Sequence, residues 1–200
     1  MSRLGILGGT FDPPHSGHLI RAEQAREQLV LDRVLWLPAA DPPHKQDRMI
    51  SGIDDRLAML AFALADNPAF EVSLVDVRRP GPHFTIDTLD LLAAEFPGAE
   101  LLFLIGGDSL EHLLSWRDPR GIVRRACLGV MQRPGARYDL THLEAAIPGL
   151  RNRLIIINAP LIEISGADIR DRVRARRSIR YFLPPRVEAY IYERGLYQPA

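Results

Sequence analysis

GGTFDPPHSGH, from Gly8 to His18, follows a short apolar run, Leu4 to Leu7, and leads into a segment with Leu19, Ala22, Ala25 and Leu29 at helical spacing. A strand, a glycine-bearing turn and a helix start in succession aim backbone N–H groups and the positive end of a helix dipole at one point. His15 and His18 stand three residues apart at that start, so both can face the point. An anion is the occupant such a point favours, and the phosphates of a nucleotide suit it. Two commoner phosphate-binding patterns, GxxxxGK followed by Ser or Thr and GxGxxG, are absent.

Outward from this turn the chain alternates. Strands are expected near Arg3–Gly8, Arg33–Pro38, Phe70–Val77, Glu100–Ile105, Cys127–Gln132 and Leu154–Ile157. Between them lie helical segments, at about His18–Val30, Asp54–Asp66, from Thr85 with that residue as N-cap, and at Pro119–Arg125. Two more helices follow, from Ser165 and after Pro184-Pro185. The pattern predicts an α/β fold: a doubly wound parallel sheet with helices on both faces. Right-handed crossovers put the loops that follow the strands on one edge, where ligands bind at the topological switch point. The histidine turn, the PPHK loop (Pro42–Lys45) and the turn Gly106-Gly107-Asp108-Ser109 all fall on that edge.

Composition narrows the partners. The formal net charge of zero gives no general case for nucleic acid or an acidic membrane. No apolar run is long enough to span a bilayer, and the N-terminus lacks a signal-peptide core, so a cytoplasmic protein is expected. Cys127, the only cysteine, excludes an intrachain disulfide and a multi-cysteine zinc site. Lys45 is the only lysine among 25 basic residues. Lysine is a compact charge on a flexible stem and arginine a flat fork, so Lys45 marks a position that arginine suits poorly. The sequence leaves open whether the chain forms a homo-oligomer.

HxGH within GGTFDPPHSGH resembles the signature of the HxGH nucleotidyltransferases, and the full string is most similar to their bacterial nicotinate-nucleotide adenylyltransferase branch. Three further segments carry the resemblance: PPHK, then HFTIDTL (His83–Leu89, where the family has SYTxDTL), and ISGADIR (Ile164–Arg170, where it has ISSTxIR). The resemblance implies one Rossmann-like nucleotidyltransferase domain over 1–200, with 160–200 as a small C-terminal helical lobe. It implies that ATP and nicotinate mononucleotide are joined to give deamido-NAD and pyrophosphate, in NAD biosynthesis. His15, His18 and Lys45 would be catalytic. ATP would be held by Gly8, Gly9, Thr10, Phe11, His15, His18, Gly106, Asp108, Ser165 and Arg170. The mononucleotide would meet His44, Lys45, Thr85, Trp116 and Arg133, with Trp116 as a shelf for the pyridine ring.

Magnesium would arrive with ATP, held by phosphates and water; no carboxylate cage is evident, and Asp12 is expected to be a turn residue. Gly166 and Ala167 replace hydroxyl residues that would help bind the outer phosphates. Alternatives are a sister adenylyltransferase acting on nicotinamide mononucleotide or phosphopantetheine, and a non-catalytic nucleotide-binding regulator.

Overall fold

The computed structural model describes residues 1–40, 50–132 and 138–199, and among these the apolar runs form six parallel strands. They are β1 (Arg3–Gly9), β2 (Arg33–Pro38), β3 (Phe70–Val72), β4 (Glu100–Gly106), β5 (Cys127–Gln132) and β6 (Leu154–Asn158). Their order in the sheet is β3-β2-β1-β4-β5-β6. Leu7 pairs with Trp36 on one side and with Leu104 on the other, so β1 lies at the reversal of strand order. That reversal is the switch point where open α/β sheets bind ligands.

Side chains alternate across each strand, and both faces are covered. Leu4, Ile6, Leu35 and Phe103 face α3 (Thr85–Glu95) and α5 (Pro119–Arg125). Leu7, Val34, Trp36 and Leu104 face α1 (Ser16–Gln28) and α2 (Ile53–Leu64). A third apolar cluster joins α7 (Gly166–Arg174) and α8 (Pro185–Glu193) to Met59 of α2. The remaining helices are α4 (Gly107–Glu111) and α6 (Leu140–Ala146).

Three expected boundaries move. The first helix starts at Ser16 with His15 as its N-cap, which makes His18 its third residue. The third strand stops at Val72, not Val77, because Asp76 is drawn into a turn by its ion pair with Arg79 and its bond from Thr88. The cap of α3 is Phe84, with Thr85 the first helical residue. No helix among the described residues is long and apolar enough to cross a membrane.

Candidate active site

At the carboxyl end of β1 the chain reverses through Phe11, whose φ of 51° is unusual for a residue with a side chain. The reversal buries the Phe11 ring against Trp36, with centroids 5.2 Å apart, and sets its edge on His18 at the same spacing. The two histidines are stacked, with ring centroids 3.7 Å apart and planes at 28°. Gly17 makes room for this stack: a Cβ there would lie 3.1 Å from His15 Nδ1. A side chain at position 17 would therefore press on the His15 ring, which would have to give by a few tenths of an ångström.

The His15 N–H donates to His18 Nδ1 at 3.3 Å. In neutral His18 the ring proton therefore sits on Nε2, which makes that atom a donor. His15 is buried, and its Nδ1 has no hydrogen-bond partner among the described residues. Burial first, and the charge of Arg21 second, lower its pKa from 6.5 to about 4, so the ring is neutral near pH 7.

Asp12 is more than a turn residue. Its buried carboxylate accepts from Tyr197 Oη at 2.5 Å and from the Ser51 N–H at 3.3 Å, and its backbone oxygen accepts from Arg170 Nη1 at 2.5 Å. Arg56 was not singled out by sequence reasoning. Buried on α2, it donates through Nη1 to Thr10 O at 3.0 Å and Ala39 O at 2.7 Å, through Nε to Ser51 O, and through Nη2 to Ala40 O. It ties the histidine turn to the end of β2 and the start of α2.

Two clefts open at this edge. One, of about 400 Å³, is lined by Gly8, Gly106, Asp108, Trp116 and the segment Ala159–Ile162. An added Cβ at Gly8 or Gly106 would meet nothing within 4 Å, so both backbones lie open to a ligand. Asp108 is the second residue of α4, whose N-cap is Gly106, and it is exposed on the lining of this cleft. Trp116 lines the same cleft and leans on Phe103, with ring centroids 6.0 Å apart. The second cleft, of about 280 Å³, holds Thr10, Phe11, His15, Ser165, Gly166, Ala167 and Arg170. Ser165 Oγ caps α7 by accepting from the Asp168 N–H at 3.0 Å. His18 and Arg21 line both clefts.

The structure thus gathers Gly8, Gly106, Asp108 and Trp116 in one cleft, with Thr10, Phe11, His15, Ser165 and Arg170 in the other. Gly9 lies between Gly8 and Thr10 on the same strand end. Thr85 lines neither cleft; its helix is joined to the Trp116 segment by Arg117, whose guanidinium lies 4.6 Å from the Phe84 ring centroid. His44, Lys45 and Arg133 lie outside the described residues.

A parallel sheet with a histidine-bearing helix start at its switch point, facing two clefts that meet beside it, defines an α/β protein of the nucleotide-binding class. The chain belongs to the cytidylyltransferase-like family, whose model matches residues 6–172. It is 54% identical, over 99% of its length and 92% of the relative's, to a protein of Thermomicrobium roseum described as a probable nicotinate-nucleotide adenylyltransferase. A Roseiflexus protein with the same description is 48% identical over 98% of both chains. Among solved structures, the Plasmodium falciparum nicotinic acid mononucleotide adenylyltransferase complexed with NaAD superposes with a TM-score of 0.77. That match covers 98% of each chain at 18% identity, a likeness of fold.

Proposed function

We propose that this chain transfers the adenylyl group of ATP to nicotinate mononucleotide, giving deamido-NAD and pyrophosphate. The observation that supports it best is the pair of clefts meeting at His18 and Arg21. A reaction that joins two nucleotides needs two compartments with one shared place for phosphate. Its full-length relatives' descriptions favour the same chemistry.

In this reading an oxygen of the mononucleotide phosphate attacks the α-phosphorus of ATP. A new P–O bond forms there as the bond to the β-phosphate oxygen breaks, and pyrophosphate leaves with that electron pair. The attacking group is already ionised, so no covalent nucleophile is required. Catalysis is positioning and stabilisation of charge. His18 Nε2–H donates to the phosphate oxygens at the start of α1, and the stacked, neutral His15 fixes the orientation of the His18 ring through its N–H. Lys45 neutralises charge as the substrates meet, with His44 beside it; Arg133 meets the mononucleotide phosphate. Asp108 accepts from ribose hydroxyls, and Trp116 offers a flat face to the pyridine ring. Thr85 lines neither cleft, but the first N–H groups of its helix α3, joined to the Trp116 segment through Arg117, would favour a carboxylate over an amide.

Magnesium comes with the triphosphate and offsets its charge. The Asp12 carboxylate borders the cleft but already holds Tyr197 and Ser51, which suits a metal bound by phosphate and water.

The test is pyrophosphate release from ATP and a panel of mononucleotides at fixed magnesium. Nicotinate mononucleotide should exceed nicotinamide mononucleotide at least about thirtyfold in kcat/KM, since donors facing an amide NH₂ cost about 2 kcal/mol. Equal values, or a preference for the amide, refute the nicotinate reading. No pyrophosphate with any mononucleotide refutes the enzyme.

A further inference from the structure

The two residues common to both clefts are one turn apart on α1. His18 belongs to the histidine signature, whereas Arg21 does not, and nothing in the motif required a cation there. Arg21 Nη2 donates to Ile162 O at 3.1 Å. Ile162 sits in the connector from β6 to α7, the segment that walls the first cleft with Ala159–Ile162 and the second with Ile164–Ala167. The guanidinium therefore stands where the clefts join, with its position set by that carbonyl. Arginine's five donors, set in a planar fork, can engage a carbonyl and a phosphate at once.

The second cleft has a shortage that this would meet. Ala167 has no hydroxyl. Gly166 cannot regain one at no cost: a Cβ there would lie 2.9 Å from the Asp12 backbone oxygen, a contact the backbone would have to relieve by moving. Arg170, which also lines that cleft, has Nη1 on Asp12 O and 3.9 Å from Asp12 Oδ2. The charge of Arg21 is already felt at the site, since it helps hold His15 neutral.

We propose that Arg21 is a substrate-binding residue that grips the phosphate chain of ATP where the two clefts meet, in place of the hydroxyls missing at 166 and 167. This rests on the reaction proposed above and adds a residue to it. The same geometry would permit a purely structural role, in which Arg21 only pins the connector through Ile162. Arg21→Gln removes the charge and, its amide nitrogen standing two atoms nearer Cα than Nη2, gives up the Ile162 bond as well, so the melting temperature reads the pin and the pyrophosphate constant reads the grip.

The experiment compares the parent with Arg21→Gln and Arg21→Lys. KM for ATP, KM for nicotinate mononucleotide, kcat, inhibition by inorganic pyrophosphate and the melting temperature are measured for each. Losing a charge-assisted grip should raise KM for ATP and the pyrophosphate inhibition constant by about ten- to a hundredfold in Arg21→Gln. KM for the mononucleotide should rise less, the melting temperature should fall by no more than about 4 °C, the scale of one lost hydrogen bond, and Arg21→Lys should recover part of the loss. Adding Ala167→Thr to Arg21→Gln should lower KM for ATP again. Unchanged ATP and pyrophosphate constants in Arg21→Gln would overturn the proposal, as would a loss matched by an equal fall in thermal stability. A parent that makes no deamido-NAD would refute the reaction instead. Calorimetric binding of inorganic pyrophosphate to parent and Arg21→Gln would then still decide the role of Arg21.

Discussion

Arg56→Met tests how the histidine turn is held in place. Methionine keeps an unbranched stem of similar reach and removes every donor. The carbonyls of Thr10, Ala39, Ala40 and Ser51 would all lose a charged partner inside the fold. A hydrogen bond to a charged group contributes about 1.5–3 kcal/mol, but four on one guanidinium do not add. Removing one side of a buried charged network costs about 3–5 kcal/mol, and that range is the expectation here. It is a large share of the roughly 5–15 kcal/mol that holds a domain folded. With a urea m-value of about 2 kcal/mol per M, the unfolding midpoint should fall by roughly 1.5–2.5 M at unchanged m. Arg56→Lys should fall between, because an ammonium cannot span four acceptors as a fork does. Urea titration followed by far-ultraviolet circular dichroism measures both variants. A midpoint shift under about 0.5 M in Arg56→Met would refute the reasoning, since the carbonyls would then be satisfied without Arg56.

His18→Ala should lower kcat by about 10²–10³, the scale for one well-placed donor, with a smaller effect on ATP affinity; unchanged turnover would remove its role. Lys45→Arg should lower kcat/KM at least about tenfold, or about 1.4 kcal/mol, at unchanged melting temperature. If the arginine variant matches the parent, the lone lysine has no special fit. His15 couples stability to acid. Its folded pKa of about 4 lies below the 6.5 of the unfolded ring, so below pH 6.5 the unfolded state binds more protons. Its contribution is whole above pH 6.5 and is lost as pH falls towards 4, by about 3 kcal/mol in all. Urea stability at pH 7 and pH 4.5 should therefore diverge less in His15→Asn than in the parent, and equal divergence would refute this.

The sheet, its edge and the histidine turn were legible because they follow from spacing. Continuous apolar runs name the strands and a period of 3.6 the helices, and connections of one hand then put the strand-following loops together. The cap at His15 and the proton on His18 Nε2 were hidden, since both depend on one backbone N–H meeting one ring nitrogen. Asp12 looked like turn chemistry because its partners Tyr197 and Arg170 come from the far end of the chain. Arg56 left a trace that could have been read: it stands three and four residues before Met59 and Leu60, on the buried stripe of α2. A cation on an apolar stripe signals a buried partner, but not that the partners are carbonyls on three segments. Arg21 left no trace, because one helix arginine among 24 looks like any other until the clefts are seen.

The bonds that bring Arg170, Phe182 and Tyr197 onto the histidine turn also set an order in time. The Ser16 N–H donates to Phe182 O at 2.9 Å, Arg170 reaches the Asp12 backbone, and Tyr197 reaches the Asp12 carboxylate across 185 positions. A chain made from its N-terminus produces this turn among its first residues and the partners that anchor it among its last. At roughly 5–20 residues per second, about ten to forty seconds separate Asp12 from Tyr197 on the ribosome. All six strands precede Tyr197 in the chain, so the sheet can assemble while Asp12 still awaits its phenol. A growing chain can thus bury its apolar core well before the bonds that hold the histidine turn can form, and the site proposed above is complete only once Tyr197 has emerged.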